Sequence, residues 1–325
     1  MSGFSAVKDF ETMLQLAYLN FTNPRMDMDA FESMKSRYKS MLESQLASPN
    51  IALNDTVIKL AYVNQARSSR VTADDLEKIN YQMIMDWRKD RFKDASDFTF
   101  VFIGNIDPEN TKALIAQYLG ALPSINRKET YADIPSGFNK GMVKNDFNKE
   151  MKDPKTTVVD IYSGKMGLDI ASRIKMGILS DILRLVYTEK VREDESGTYG
   201  VSVSGSISYP KGDAVVFISF ETNAEKKDLL NDIVIREFQA LADNGVKEAD
   251  FQKTIESILK NYQQNQRENG YWNNIISTYY RDGYDGYTEY EKTVKSITPA
   301  VIKAFAKQFL DQNNLIQVIM TGVKN

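Results

Sequence analysis

Residues 97–120 read DFTFVFIGNIDPENTKALIAQYLG, and the apolar period changes partway along them. Residues 97–106 form a short run of aromatic and β-branched residues between polar and turn residues, which predicts a buried strand. Asp107-Pro108-Glu109 then predicts a helix start. Proline suits the first turn, where its missing N–H is no loss, and the acids meet the positive end of the helix dipole. The helix should run to about Leu119, with Gly120 as a natural C-cap.

Upstream of this stretch the pattern is helical. Residues 5–20 place Phe10, Met13, Leu14 and Ala17 at helical intervals, with Ser5 as a candidate cap, and Pro24 ends the run. Residues 27–46 carry a stripe of Phe31, Met34, Tyr38, Met41 and Leu42, and residues 54–66 form a third helical pattern. Thr72 to Phe92 reads as one long amphipathic helix, with Thr72 and Asp75 in capping-box positions.

Downstream, residues 123–141 hold Pro123, Pro135, Gly137 and Gly141 among polar residues, the strongest linker signal in the chain. Residues 142–151 and 156–163 read as a strand pair, and 168–192 as a long helix. Residues 198–208 and 214–221 read as a hairpin turned by Tyr209-Pro210-Lys211-Gly212. Helical patterns follow at 226–242, 247–269 and 297–310, and 315–321 closes as a strand. Helices come in runs, so the class is α+β and a doubly wound parallel sheet is not expected.

The composition is that of an ordinary soluble domain, with 42% apolar and 26% charged residues. A net charge of −3 argues against nucleic acid as the main partner, because phosphate binding wants a basic face. No stretch reaches the ~18 apolar residues of a membrane span. The opening MSGFSAVKDFE lacks a secretory signal pattern. Cysteine and histidine are both absent, which excludes a Ser-His-Asp triad, a thiolate nucleophile and a His- or Cys-ligated zinc.

Several segments together resemble the pitrilysin/insulinase family of zinc metallopeptidases. FVFIGNIDPENTKALIAQYLGALPS (100–124) is similar to the closing strand and helix of a family module. KVREDESGTYGV (190–201) matches a helix end followed by a strand opening with tyrosine. KDFETMLQLAYLNFTNPRMDMDAF (8–31), LADNGVKEADFQKTIESILK (241–260) and NGYWNNII (269–276) resemble further family segments in the right order.

Members of that family are built from four similar α+β modules that close as two halves around a peptide. Their zinc site lies in the first module, as H-x-x-E-H plus a later glutamate. A chain without histidine cannot contain that module. The resemblance therefore implies a C-terminal half. Residues 1–125 would be the later part of a third module, 126–139 a linker and 140–325 a complete fourth module. The implied fold is two related modules of antiparallel sheet packed with long helices, as in processing peptidases, with the first module incomplete. Its missing opening strands would leave an uncovered sheet edge, which a partner or an upstream segment should cover.

The resemblance also implies site residues. Arg192 and Tyr199 have the seven-residue spacing of an arginine and tyrosine that reach the zinc-bound peptide in the family. A tyrosine hydroxyl aimed at the scissile carbonyl would donate a hydrogen bond that strengthens as the oxyanion forms. The arginine fork would hold the peptide backbone or orient the tyrosine, and Gly197 would supply a flexible turn. No cofactor is expected in this chain, with zinc in the missing N-terminal half. The expected partners are that half and a peptide substrate, with no activity from this chain alone. The alternative is a scaffold or partner subunit that has lost catalysis, in which Arg192 caps a helix and Tyr199 packs. Glu193, Asp194 and Glu195 read as a solvated turn rather than metal ligands, because adjacent acids do not converge on one cation. The aromatic run at 271–290 reads as core or chamber wall, and a lone Gly104 is too little for a phosphate loop. Bacterial periplasm and cytoplasm both remain open as compartments.

Overall fold

The computed structural model describes residues 2–193, 195 and 198–324. In chain order the first helices are α1 (Phe10–Thr22), α2 (Met28–Gln45), α3 (Pro49–Ala61), α4 (Gln65–Ser68), α5 (Ala73–Glu77), α6 (Tyr81–Phe92) and α7 (Pro108–Tyr118). Strands β1 (Met142–Glu150) and β2 (Thr156–Lys165), helix α8 (Ile170–Tyr187), and strands β3 (Val201–Ser208) and β4 (Asp213–Thr222) follow. The chain finishes with α9 (Lys227–Asn244), α10 (Glu248–Asn265), α11 (Asn269–Asp282), α12 (Tyr290–Ser296), α13 (Pro299–Leu310) and β5 (Leu315–Val323). It packs as two compact units, Met1–Gln45 with Val71–Ile134, and Leu46–Arg70 with Pro135–Asn325.

The second unit is organised by a five-stranded sheet in the order β1-β5-β2-β4-β3. All neighbours are antiparallel except β1 and β5, which run parallel. The expected pairing of β1 with β2 is therefore corrected, because β5 lies between them. The residue types account for this order. β5 (LIQVIMTGV) is apolar towards both faces and belongs inside a sheet covered on both sides. β1 carries Lys144, Asp146, Lys149 and Glu150, charges that suit an edge.

Alternation along β2 feeds two cores. Val158 and Tyr162 join the large core under α8, α9 and α13, while Val159 and Ile161 meet Val57 and Ala61 of α3 on the opposite face. Helix α8 drives the large core, with Ile174, Ile178, Ile182 and Leu183 all buried along one stripe. The predicted hairpin forms as β3 and β4, with Val203 opposite Ile218. β3 buries Val201, Val203 and Ile207 and exposes Ser202, Ser204, Ser206 and Ser208, the alternation of a strand covered on one face.

One buried group stands out in this core. Asp160 of β2 is fully buried, and its Oδ1 accepts from the Gln317 amide at 3.2 Å. Its Oδ2 has no hydrogen-bond partner among the described residues. Burial pushes the carboxyl up to about 7, against the pull of the Gln317 hydrogen bond and the Lys144 charge.

The first unit is mostly helical. Phe21 packs edge-on against Phe92 at 4.8 Å and Phe98 at 4.9 Å. Asp94 fastens the end of α6 to the segment after α7. Its carboxylate accepts backbone N–H groups from Ser96 (3.0 Å), Ile125 (3.1 Å) and Arg127 (2.5 Å). Burial alone would raise this carboxyl, but the donors from Ser96, Arg127 and Ile125 outweigh burial and hold it well below the usual range. Asp107 caps α7 as expected, and Gly120 lies where a Cβ would come within 2.5 Å of the Ala116 carbonyl oxygen.

Three expectations are corrected here. Residues 72–92 form two helices, because Asn80 accepts the Met83 N–H and starts a second one after the Thr72/Asp75 capping box. The α2 stripe is buried mainly at Leu42, and Met34, Tyr38 and Met41 are 51%, 42% and 40% exposed. Residues 97–106 form no strand among the described residues, since a strand needs a neighbour and this unit offers none. Phe98 and Phe102 instead pack against Phe21 and Phe10.

Two predictions follow from the buried carboxyls. The stability linked to Asp160 is fully present below about pH 4 and lost as pH rises through about 7. Asp160→Asn should raise stability at pH 8 by on the order of 3 kcal/mol and change it little at pH 4, read from urea titrations at both pH values. Asp94→Ala should lower the melting temperature of the first unit by about 5 °C or more, because it strands buried N–H donors. The Asp94 contribution is present above about pH 4 and fades as pH falls below it.

Candidate functional site

Helix α8 does not stop at Tyr187. It continues as a wider π-helical turn, Thr188–Glu193, before the chain reaches β3. Two buried groups anchor this exit. Tyr187 is fully buried, and its hydroxyl donates to the Val234 carbonyl of α9 at 3.0 Å. Burial raises its phenol well above the ordinary value. Val191 is also fully buried. Outside these anchors, Glu189 pairs with Lys190 at 3.1 Å and Lys247 at 3.5 Å. The Lys190 hydrogen bond and charge, with the Lys247 charge, hold its carboxyl below the usual range.

Arg192 leaves this turn with an exposed side chain. Further along, the Lys226 ammonium donates to the Glu195 carbonyl oxygen at 2.7 Å, and Glu195 is half-buried. The Thr198 hydroxyl accepts the Gly200 N–H at 3.2 Å and closes a tight turn. Tyr199 sits at the bend of that turn, two residues before the first ladder pair, Val201 with Phe220. It has the strand parity of Val201 and Val203, yet it lies beyond the core they enter. Its side chain is fully exposed, at 101%. Asp194 and Gly197 lie outside the described residues, as does the Glu193 side chain.

The connection from α8 to β3 thus presents one guanidinium and one phenol, both exposed, on a base fixed by Tyr187 and Val191. Both groups can donate hydrogen bonds. Among the described residues no group of three Asp or Glu side chains is placed to hold a metal ion, and the chain has no histidine or cysteine. The donor set of a zinc site does not fit this chain. The aromatic run splits in two: Tyr271 and Trp272 pack edge-on at 5.4 Å, whereas Tyr279 and Tyr280 are exposed. No helix among the described residues is long and apolar enough to cross a membrane.

Residues 78–258 match the family described as the peptidase M16 inactive domain. The chain belongs to that family. Among curated proteins this M16 chain is 25% identical over 308 residues to a "Zinc protease PQQL-like" protein of Arabidopsis thaliana, covering 86% of the chain and 31% of the relative. It is 23% identical over 232 residues to the "Probable zinc protease PqqL" of Escherichia coli strain K12, covering 67% of the chain and 24% of that protein. The chain therefore spans about a third or less of the curated relatives it matches.

Solved structures agree on the fold. The periplasmic protease PqqL from Escherichia coli superposes with a TM-score of 0.83 at 18% identity, over 98% of this chain and 36% of that one. A peptidase M16 inactive domain from Pseudomonas fluorescens gives 0.75 at 17% identity, over 99% and 77%. The first half of PqqL also superposes, with a TM-score of 0.71 at 11% identity over 99% of this chain, as expected if the two halves share one architecture. The family resemblance in the sequence and its mixed helix-and-sheet class are borne out.

Proposed function

We propose that this chain is the C-terminal, non-zinc-binding half of a zinc metalloendopeptidase, forming part of a peptide-binding chamber and supplying Arg192 and Tyr199 to the bound substrate. Residues 1–125 would be the later part of the third module, 126–139 the linker and 140–325 the fourth module. The observation that carries the reading is the full exposure of Tyr199 on an anchored connection, seven residues after an exposed Arg192, in an M16 domain without histidine or cysteine and without a metal-holding acid cluster among the described residues. A packing tyrosine would be buried, and this one is free to meet a ligand.

In this reading the N-terminal half, in the same polypeptide or a partner chain, holds zinc and the groups that activate water. The Tyr199 hydroxyl donates to the scissile carbonyl oxygen as negative charge builds on it, a preorganised donor of the oxyanion-hole kind. Arg192 holds the peptide backbone through its planar fork, which a lysine would not reproduce. Placing these donors on the half that lacks the metal makes hydrolysis depend on closure. The strand-like residues 97–106 would pair with strands from the rest of the longer protein, which would complete the first unit.

The test is made in the assembled enzyme, with both halves present. Tyr199→Phe should lower kcat for peptide cleavage by ~10²–10³. It should leave the melting temperature unchanged, because the hydroxyl is fully exposed in this half. Unchanged cleavage by Tyr199→Phe contradicts the proposed role.

A further inference from the structure

A cleft of about 380 Å³ lies between α10, α11 and the loop leading into α12. A second hollow of about 200 Å³ lies against α8. Ile258, Tyr284 and Tyr290 line both, so the two hollows adjoin as two lobes.

The larger lobe has no charged residue in its wall. Tyr262, Tyr271, Tyr284 and Tyr290 supply ring surface, and Asn265 and Asn274 supply amides that donate and accept. Tyr262 and Tyr290 stack at 4.7 Å, and Tyr271 meets Tyr262 edge-on at 6.3 Å. Such a lobe suits an aromatic ring next to a peptide unit.

The smaller lobe carries a cation with an incomplete set of partners. Arg173 lies over the Tyr284 ring at 4.3 Å, and its Nε is buried without a hydrogen-bond acceptor among the described residues. Its carboxylate neighbour, Asp282, stands 3.9 Å away and is gripped by Arg281 at 2.6 and 2.8 Å. The acid in the wall of this lobe, Asp181, pairs with Arg184 at 2.7 Å. Both acids are held closely by other arginines, and a further anion would meet the terminal nitrogens of Arg173 rather than its buried Nε. The nearby Asp181 and Asp282 carboxylates favour a singly charged carboxylate over a phosphate.

Gly177 is the third element. It sits inside α8, where glycine is less favourable than any residue except proline. Packing does not require it, since a Cβ there would meet no atom within 4 Å. Its missing side chain keeps the smaller lobe open to the helix backbone.

We propose that the two lobes bind the carboxy-terminal residue of a peptide ending in an aromatic side chain, with the ring in the tyrosine lobe and the carboxylate on Arg173. The cleft is built without Arg192 or Tyr199, so its test is independent of the peptidase reading.

The chain has two tryptophans, and Trp272 borders the larger lobe through Tyr271. In a Trp87→Phe background, Trp272 fluorescence reports binding. The probes are N-acetyl-Ala-Ala-Phe with a free carboxylate, its carboxy-terminal amide, and N-acetylphenylalanine. The free acid should bind saturably, and the amide at least about ten-fold more weakly. Arg173→Gln should weaken the acid by about the same factor and leave the amide unaffected. Gly177→Leu should abolish binding of the acid, while Gly177→Ala retains the fold with an equal or higher melting temperature. Equal binding of acid and amide overturns the proposal, as does the absence of saturable binding by the unsubstituted cleft. N-acetylphenylalanine binding as tightly as the tripeptide overturns the peptide assignment in favour of free aromatic acids.

Discussion

The insertion of β5 between β1 and β2 is the contact on which the second unit depends. The last strand of the chain pairs with Met142–Glu150 on one side and Thr156–Tyr162 on the other. It sends Leu315 and Ile319 to the core under α8, and Ile316 and Val318 to the core against α3. Without it, β1 would have no neighbour and α3 would lose much of the surface it covers. The pairing also joins residues about 170 apart in sequence, which makes it a costly contact to close.

That sheet and α8 fix the base from which Arg192 and Tyr199 project. Tyr187 and Val191 tie the π-helical turn to the core, and the β3–β4 ladder fixes the chain again at Val201. The connection between these anchors is short and polar. A helix that widens into a π turn is rare and is found frequently at functional sites, and here the turn carries the exposed Arg192. The fold thus spends its rigidity on both ends of the segment and leaves the two donors facing solvent.

Much of this was legible in the residues. The α7 start at Asp107-Pro108 and the β3–β4 hairpin both follow from local chemistry that the tertiary structure does not override. The family could be recognised because segments such as YLGALP (118–123) keep their order along the chain. Strand neighbours were not legible: nothing within residues 142–163 says that residues 315–323 will separate the two strands. Residues 97–106 mislead for a related reason, since their strand composition describes an environment that this chain does not supply. The cleft at Arg173 was missed because its signal is a single helix-interior glycine, Gly177, which carries no motif. Tyr199 was legible as a site only through its spacing from Arg192, and its full exposure needed the structure.

The central claim is a division of labour. In the proposed reading this chain would contribute hydrogen-bond donors and chamber wall, and the metal would belong to sequence outside it. The most direct measurement is peptide hydrolysis in the presence of zinc by this chain alone, by the N-terminal half alone, and by the two mixed. The account predicts no cleavage from this chain, little from the other, and restored cleavage on mixing. Zinc-dependent cleavage by this chain alone, or a mixture no more active than the N-terminal half, would contradict it.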